Sequence, residues 1–210
     1  MRFLVLCLGM VASMAQAEGE PAGEFDYYVL ALSWSPNWCA LEGDARGADQ
    51  CDSRHDYGWI LHGLWPQFER GWPSYCRTNS RDPSRRQTRD MSDIMASAGL
   101  AWHQWKKHGR CSGLSSEAYF QLSRDAYGQI ARPELFRKLD RQVILPASVV
   151  EEAFLQANPN LQADHVTVTC KSRHIQEVRI CLSTALEPRR CGSDVLRDCD
   201  LDRAVFDPIR

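Results

Sequence analysis

The sequence predicts one α+β domain, with a central antiparallel sheet flanked by helices and stabilised by disulfides. Apolar strand-like runs lie near both ends of the chain, whereas helix-like segments gather in the middle. Strands and helices do not alternate regularly along the chain, so the sequence does not predict a parallel sheet. Eight of the nine cysteines follow residue 17, an even number typical of disulfide-bonded exported domains.

The first seventeen residues are typical of a signal peptide. Arg2 supplies a positive charge, residues 3–12 are apolar, and residues 15–17 form a small-x-small cleavage pattern. The apolar stretch is shorter than the roughly 18 residues that a membrane-spanning helix needs. We therefore expect residues 1–17 to be removed and residues 18–210 to form one domain. The protein should be periplasmic or secreted, without a membrane anchor.

Strands are predicted before and after a helical middle region. Residues 27–32 form an apolar, β-prone run, and residues 57–62 form a second strand that Gly63 and Pro66 end, which places His62 at a strand end. Residues 165–170 and 175–182 alternate as a hairpin around the polar turn 171–174.

The middle region predicts a polar loop and three helices. Residues 77–90 lack apolar periodicity, and Asp90 or Ser92 can then cap a helix over residues 93–107 that stops at Gly109. Two more helices are expected near residues 116–130 and 148–157. A capping box of Ser148 with Glu151 opens the last of them.

Cysteine usage and net charge limit the classes of function. A zinc site would need close pairs of thiolates, but the cysteine spacings are too wide, so disulfides are favoured. Eight cysteines allow 105 pairings, which spacing alone leaves open. The net charge of −2 excludes a global basic field that would drive non-specific nucleic-acid binding, so any anion site must be local. The eight are Cys39, Cys51, Cys76, Cys111, Cys170, Cys181, Cys191 and Cys199.

Two short segments concentrate the reactive side chains. They read HGLWPQ over residues 62–67 and WHQWKKHGRC over residues 102–111. On a helix, His103 and Lys107 are four residues apart, and so are Gln104 and His108, which places the two pairs in adjacent rows on one face. Burying imidazoles beside an ammonium group is costly unless an anion compensates it. A phosphodiester would do so.

This set of groups fits cleavage of RNA without a metal ion. That reaction needs a base for the 2′-hydroxyl, an acid for the departing 5′-oxygen and a cation for the charge that develops between them. His62, His108 and Lys107 supply these groups. The Trp65 ring would line the site or stack on a base.

The two segments resemble the signature segments of the ribonuclease T2 family of secreted ribonucleases, and the likeness extends over most of residues 25–200. The resemblance implies that His62 is the general acid and His108 the general base of a transfer to a 2′,3′-cyclic phosphate, which is later opened to a 3′-phosphate. It also implies that Lys107 stabilises the transition state, that His103 holds the phosphate and that Trp65 binds a base. The implied disulfides are Cys39–Cys51, Cys76–Cys111, Cys170–Cys199 and Cys181–Cys191.

Two departures from the family pattern concern the site. Gln104 stands where the family usually has Glu, which removes a carboxylate. Ser33 stands where many members have a base-contacting Gln. We expect a monomeric endoribonuclease that acts on single-stranded RNA with no cofactor. The alternatives are a catalytically weakened RNA-binding relative, because of Gln104, and a metallohydrolase using His103, His108 and Cys111.

Overall fold

A mixed sheet of six strands forms the centre of the fold in residues 19–210, the part of the chain that the computed structural model describes. The expected signal peptide lies outside these residues. The strands are β1 (Tyr27–Trp34), β2 (Trp59–Gln67), β3 (Val143–Leu145), β4 (Val166–Lys171), β5 (His174–Leu182) and β6 (Ala204–Phe206). β1 pairs antiparallel with β2 and β5, and β5 pairs antiparallel with β4.

The α+β class and the closing hairpin are confirmed, but the sheet is not purely antiparallel. β6 pairs antiparallel with β3 and makes a parallel pair with β5 at His174 and Val205. This short strand follows the hairpin by more than twenty residues, so its direction is set by the return of the chain and not by a tight turn.

β1 is buried on both faces, which explains why its sequence is apolar throughout. Leu30, Leu32 and Trp34 pack into the main core, whereas Tyr27 and Val29 pack into a smaller cluster on the other face. A strand that is covered on both sides reads as a continuous apolar run. It therefore gives the strands beside it a fixed base.

β2 does not end at His62, as the sequence had suggested, but continues to Gln67. Ala31 of β1 lies opposite Gly63, and Leu32 lies opposite Leu61, so His62 is the extra residue of a β-bulge. β2 is an edge strand, where a proline can be accommodated because its missing N–H breaks no ladder bond. His62 is therefore a mid-strand residue.

Six helices cover the sheet within the described residues: α1 (Ser35–Trp38), α2 (Arg85–Asp90), α3 (Ser92–Met95), α4 (Ala98–Lys107), α5 (Ser116–Gln129) and α6 (Ala147–Ala157). α5 and α6 occupy the predicted segments. Shorter 3-10 or π turns cover Cys39–Gly43, Asp44–Arg46, Asp49–Cys51, Ser53–His55, Gly109–Ser112, Glu134–Lys138 and Ala163–His165. α5 also anchors the edge strand, because the Tyr119 and Tyr127 hydroxyls donate hydrogen bonds to two backbone carbonyls of β2, at 2.8 and 2.9 Å.

Three predictions for the helical part of the chain were wrong: the course of one helix, one loop and one helix cap. The expected helix over residues 93–107 is divided, because Ala96 adopts φ of 63° and α4 begins only after Ser97, whose hydroxyl accepts from Leu100 N–H. The polar stretch 77–90 contains α2, which a capping box at Ser84 opens. α6 begins directly after Pro146, so Ser148 is not its cap.

Four disulfides join the cysteines after residue 17, and their pairing is the one that the family resemblance implies: Cys39–Cys51, Cys76–Cys111, Cys170–Cys199 and Cys181–Cys191. A thiolate zinc site is thereby excluded for these residues. Within residues 19–210, the helices are too short or too polar to cross a lipid bilayer.

Candidate active site

The two signature segments meet at one cavity of about 370 Å³. β2 contributes His62 and Trp65, and the end of α4 contributes Lys107 and His108. His103 and Gln104, one turn earlier on α4, also line the cavity. The prediction that these four α4 positions share one face is therefore confirmed.

His62 is hydrogen-bonded to the buried carboxylate of Glu177, which is itself ion-paired with Arg179. Neither residue belongs to the two signature segments. His62 Nδ1 forms a short hydrogen bond with Oε1 of Glu177, whose side chain is 2% exposed. The Arg179 guanidinium donates to Oε2 of the same carboxylate at 2.7 and 2.9 Å. Burial alone would raise the pKa of Glu177, but the hydrogen bond and charge of His62, together with Arg179, hold it at about 2.

His108 is the C-cap residue of α4 and is buried, with 5% of its surface exposed. Burial lowers the pKa of His108 to about 3, and the positive charges of Lys107, His62 and His103 act in the same direction. The imidazole is neutral over the ordinary pH range and can accept a proton. Its Nδ1 is buried and has no hydrogen-bond partner within residues 19–210.

Trp65 lies between the two imidazoles. Its ring centroid is 5.3 Å from that of His62, in an edge-on arrangement, and 5.2 Å from that of His108, with the planes inclined by only 27°. The indole N–H donates to Oε1 of Gln104 at 2.7 Å. Gly63 permits this approach, because a Cβ at that position would overlap the indole nitrogen and the Gln104 amide.

Gln104 is buried, with 2% of its surface exposed, and so serves as a fixed acceptor for the Trp65 indole. Its neighbour His103 is exposed at the surface, yet partial burial of its ring and the positive charges of Lys107 and His62 lower its pKa. Lys107 is half-buried and lies at the last turn of α4. The cavity therefore presents one ammonium group and three imidazoles without a carboxylate on α4.

Ser33 lies outside this cavity, in an adjoining one of about 340 Å³. His62, Glu177 and Gln176 line both cavities, so they form the wall between them. Ser33 and Trp65 are thus on opposite sides of His62. The second cavity is also lined by Trp38, Glu42, Arg46, Ser97, Leu100 and Lys171.

The missed residues Glu177 and Arg179 have one signal in the sequence. Both fall inside the second strand of the predicted hairpin, at alternate positions that share a face. Charged groups are rarely fully buried unless they are paired, so an acid and a base in such a strand indicate a buried ion pair. The sequence pattern does not show that this ion pair contacts His62 of β2.

A metal centre at the predicted alternative site is not supported by the geometry. Cys111 is bonded to Cys76 and cannot act as a thiolate ligand beside His103 and His108. Residues 19–210 contain no group of three or more histidine, cysteine or carboxylate side chains placed to hold a metal ion.

Comparison with known proteins identifies relatives of this chain. It is 46% identical over 130 residues to "Ribonuclease" of Aeromonas hydrophila, which covers 60% of this chain and 57% of that protein. It is 30% identical over 128 residues to "Probable ribonuclease" of Haemophilus influenzae, covering 55% and 46%. The matched region thus spans about half the length of these relatives.

Solved structures with low sequence identity share the fold. An RNase-related protein from Calystegia sepium superposes with a TM-score of 0.67 at 20% identity, covering 89% of this chain and 99% of that chain. RNase NT in complex with 5′-AMP has a TM-score of 0.64 at 19% identity, covering 88% and 99%. Residues 25–191 match the model of the Ribonuclease T2 family, which is most of the chain. The chain therefore belongs to the ribonuclease T2 family.

Proposed function

We propose that this protein is an endoribonuclease that cleaves single-stranded RNA by transphosphorylation, without a metal ion. The observation that carries the proposal is the shared cavity of His62, Lys107 and His108, in which one imidazole is buried and neutral. A cavity of this size accommodates a nucleotide-sized part of the substrate. Two relatives are named as ribonucleases, which is consistent with this reaction class.

In the first step, His108 acts as the general base. It takes the proton of the ribose 2′-hydroxyl as the 2′-oxygen forms a bond to phosphorus. Because the pKa of His108 is low, its imidazole is unprotonated before the reaction, and an anionic phosphate in the cavity would raise that pKa toward the range in which a general base is effective. His62 acts as the general acid and gives a proton to the 5′-oxygen as the P–O5′ bond breaks. The products are a 2′,3′-cyclic phosphate and a free 5′-hydroxyl.

In the second step, the roles reverse. His62 takes a proton from water, which attacks the cyclic phosphate, and His108 returns its proton to the 2′-oxygen as the P–O2′ bond opens. Lys107 stabilises the negative charge on the phosphoryl oxygens in both steps, because it is the ammonium group that lines the cavity. His103 holds the phosphate from the previous turn of α4.

Bases would bind on both sides of His62. Trp65 and the more exposed Trp72 line the cavity that contains His108, and aromatic rings of this kind stack on bases without strong sequence preference. Ser33 lines the adjoining cavity, where the nucleotide released with the 5′-hydroxyl would lie.

We further propose that the protein acts as a monomer. We also propose that its N-terminal segment exports it to the periplasm or the exterior, because four disulfides persist only in an oxidising compartment.

The test is digestion of single-stranded RNA by the purified protein in excess EDTA. We expect cleavage to cyclic phosphates, with the rate unchanged by chelation. His62→Ala and His108→Ala should each lower kcat by about 10²–10⁴-fold, the usual contribution of a general acid or base. Loss of activity on chelation, or full activity in either variant, would refute the mechanism.

A further inference from the structure

We propose that Glu177 is a positioning residue for His62, whose buried carboxylate fixes the tautomer and direction of the imidazole so that Nε2 is the atom that exchanges protons with the substrate. This inference rests on the proposed function, because it assigns a task to a residue that does not itself touch RNA. It extends the reacting group from β2 and α4 to the central strand β5.

The contacts of Glu177 divide between its two oxygens. Arg179 uses Oε2 for both of its hydrogen bonds, whereas Oε1 faces His62 Nδ1. A carboxylate that is 2% exposed needs a partner, because an uncompensated buried charge costs several kcal/mol. Arg179 already supplies that partner. The second oxygen is thus available for orienting the imidazole.

The charge state of Glu177 determines where the imidazole carries hydrogen. The pKa of Glu177 is held at about 2, so the group is an ionised carboxylate and can only accept hydrogen bonds. Nδ1 of His62 must then be the donor. The remaining nitrogen, Nε2, is left to give a proton to the 5′-oxygen in the first step and to take one from water in the second.

The sheet register explains how the two residues reach each other across an intervening strand. Glu177 lies opposite Ser33 of β1, and Arg179 lies opposite Ala31. Both β1 residues are small and share a face, because side chains two positions apart point the same way. His62, released from the ladder by the bulge, can therefore extend over β1 to Glu177.

Other charged groups face the same region, so the effect of Glu177 must be separated from theirs. His103, Lys107 and His108 approach from α4, and Arg179 lies over the Trp65 ring at 5.4 Å. All four carry or can acquire positive charge. Within residues 19–210, Glu177 is the carboxylate hydrogen-bonded to His62.

The test compares two substrates in Glu177→Gln, which keeps the shape of the side chain but removes its charge. A dinucleoside phosphate needs protonation of its leaving oxygen, whereas a nucleoside 3′-(4-nitrophenyl phosphate) releases a stable phenolate without it. We expect kcat for the dinucleoside phosphate to fall about 10–100-fold, the usual cost of losing an orienting partner. KM should change little, and the nitrophenyl ester should lose much less.

Controls separate this inference from folding effects and from the proposed function. Asp93→Asn removes an ion pair with Arg124, 2.7 Å long and remote from the cavity, and should leave both rates unchanged. His62→Ala must show the same substrate contrast. If His62→Ala loses activity equally on both substrates, the acid role of His62 fails. If only Glu177→Gln does so, the positioning role alone is refuted.

A measurement on the unaltered protein keeps the inference testable even if the variant does not fold. Nitrogen-15 NMR of the His62 ring should show Nδ1 protonated at every pH above the titration of Glu177. A neutral His62 ring with its hydrogen on Nε2 would overturn the proposal.

Discussion

The buried His108 makes the stability of the protein depend on pH in a way that can be measured. Its pKa is about 3 in the folded protein, against 6.5 for an unperturbed histidine. The unfolded chain therefore binds a proton on this side chain at a pH where the folded protein does not. Stability is fully present above pH 6.5 and is lost as the pH falls toward about 3.

The size of this loss follows from the difference between the two pKa values. Between pH 7.5 and pH 4.5 the unfolded state takes up the proton. Because pH 4.5 lies two units below the ordinary pKa of 6.5 and each unit is worth about 1.36 kcal/mol, the free energy of unfolding falls by about 2.7 kcal/mol over this interval. Little discount for solvent applies, because His108 is only 5% exposed.

The assay is urea unfolding at pH 7.5 and pH 4.5, with disulfides intact, for the parent protein and for His108→Leu. Phosphate buffers are avoided, because an anion in the cavity would stabilise the folded state. The parent should lose about 2–3 kcal/mol more than the variant between the two pH values. Each protein is compared with itself, so any cavity left by the substitution cancels. Equal losses in the two proteins would refute a buried, neutral His108.

Three further predictions concern the surroundings of the site. Gly63→Ala should lower the free energy of unfolding by about 1–3 kcal/mol through overpacking and should also reduce kcat/KM. In the control Gly128→Ala, where an added Cβ meets nothing within 4 Å, neither quantity should fall. Equal effects in the two variants would refute the close approach of Gly63 to Trp65 and Gln104. Gln104→Glu should raise the pKa of His108 and move the acidic limb of the kcat/KM profile upward by about one pH unit; an unmoved profile would contradict it. Replacing both Cys76 and Cys111 by serine, which opens a disulfide of sequence separation 35, should cost about 4 kcal/mol in urea unfolding, and a loss below 1 kcal/mol would show that the link adds little.

Local patterns in the sequence were sufficient for the fold class and for much of the site. The spacing of His103, Gln104, Lys107 and His108 requires a shared helix face, and Gly109 directly follows His108, the C-cap residue of α4. Such features depend on neighbours three or four residues apart. They are therefore readable without knowing the tertiary structure.

The remaining features depend on contacts between distant segments. His62 and Glu177 are 115 residues apart, and their contact requires both the bulge in β2 and the order of three strands. The bulge itself was hidden, because Gly63 and Pro66 read equally well as the end of a strand. The sequence also does not predict the parallel pair between β5 and β6, because a strand of three residues is too short to show a periodic pattern.

The outer edge of β2 affects how this protein behaves in crowded solution. Exposed edge strands offer unpaired backbone groups to other chains and so promote aggregation. Here Pro66 has no N–H to offer, and the Tyr119 and Tyr127 hydroxyls occupy two strand carbonyls. The strand that carries His62 is thereby a poor template for intermolecular β-pairing.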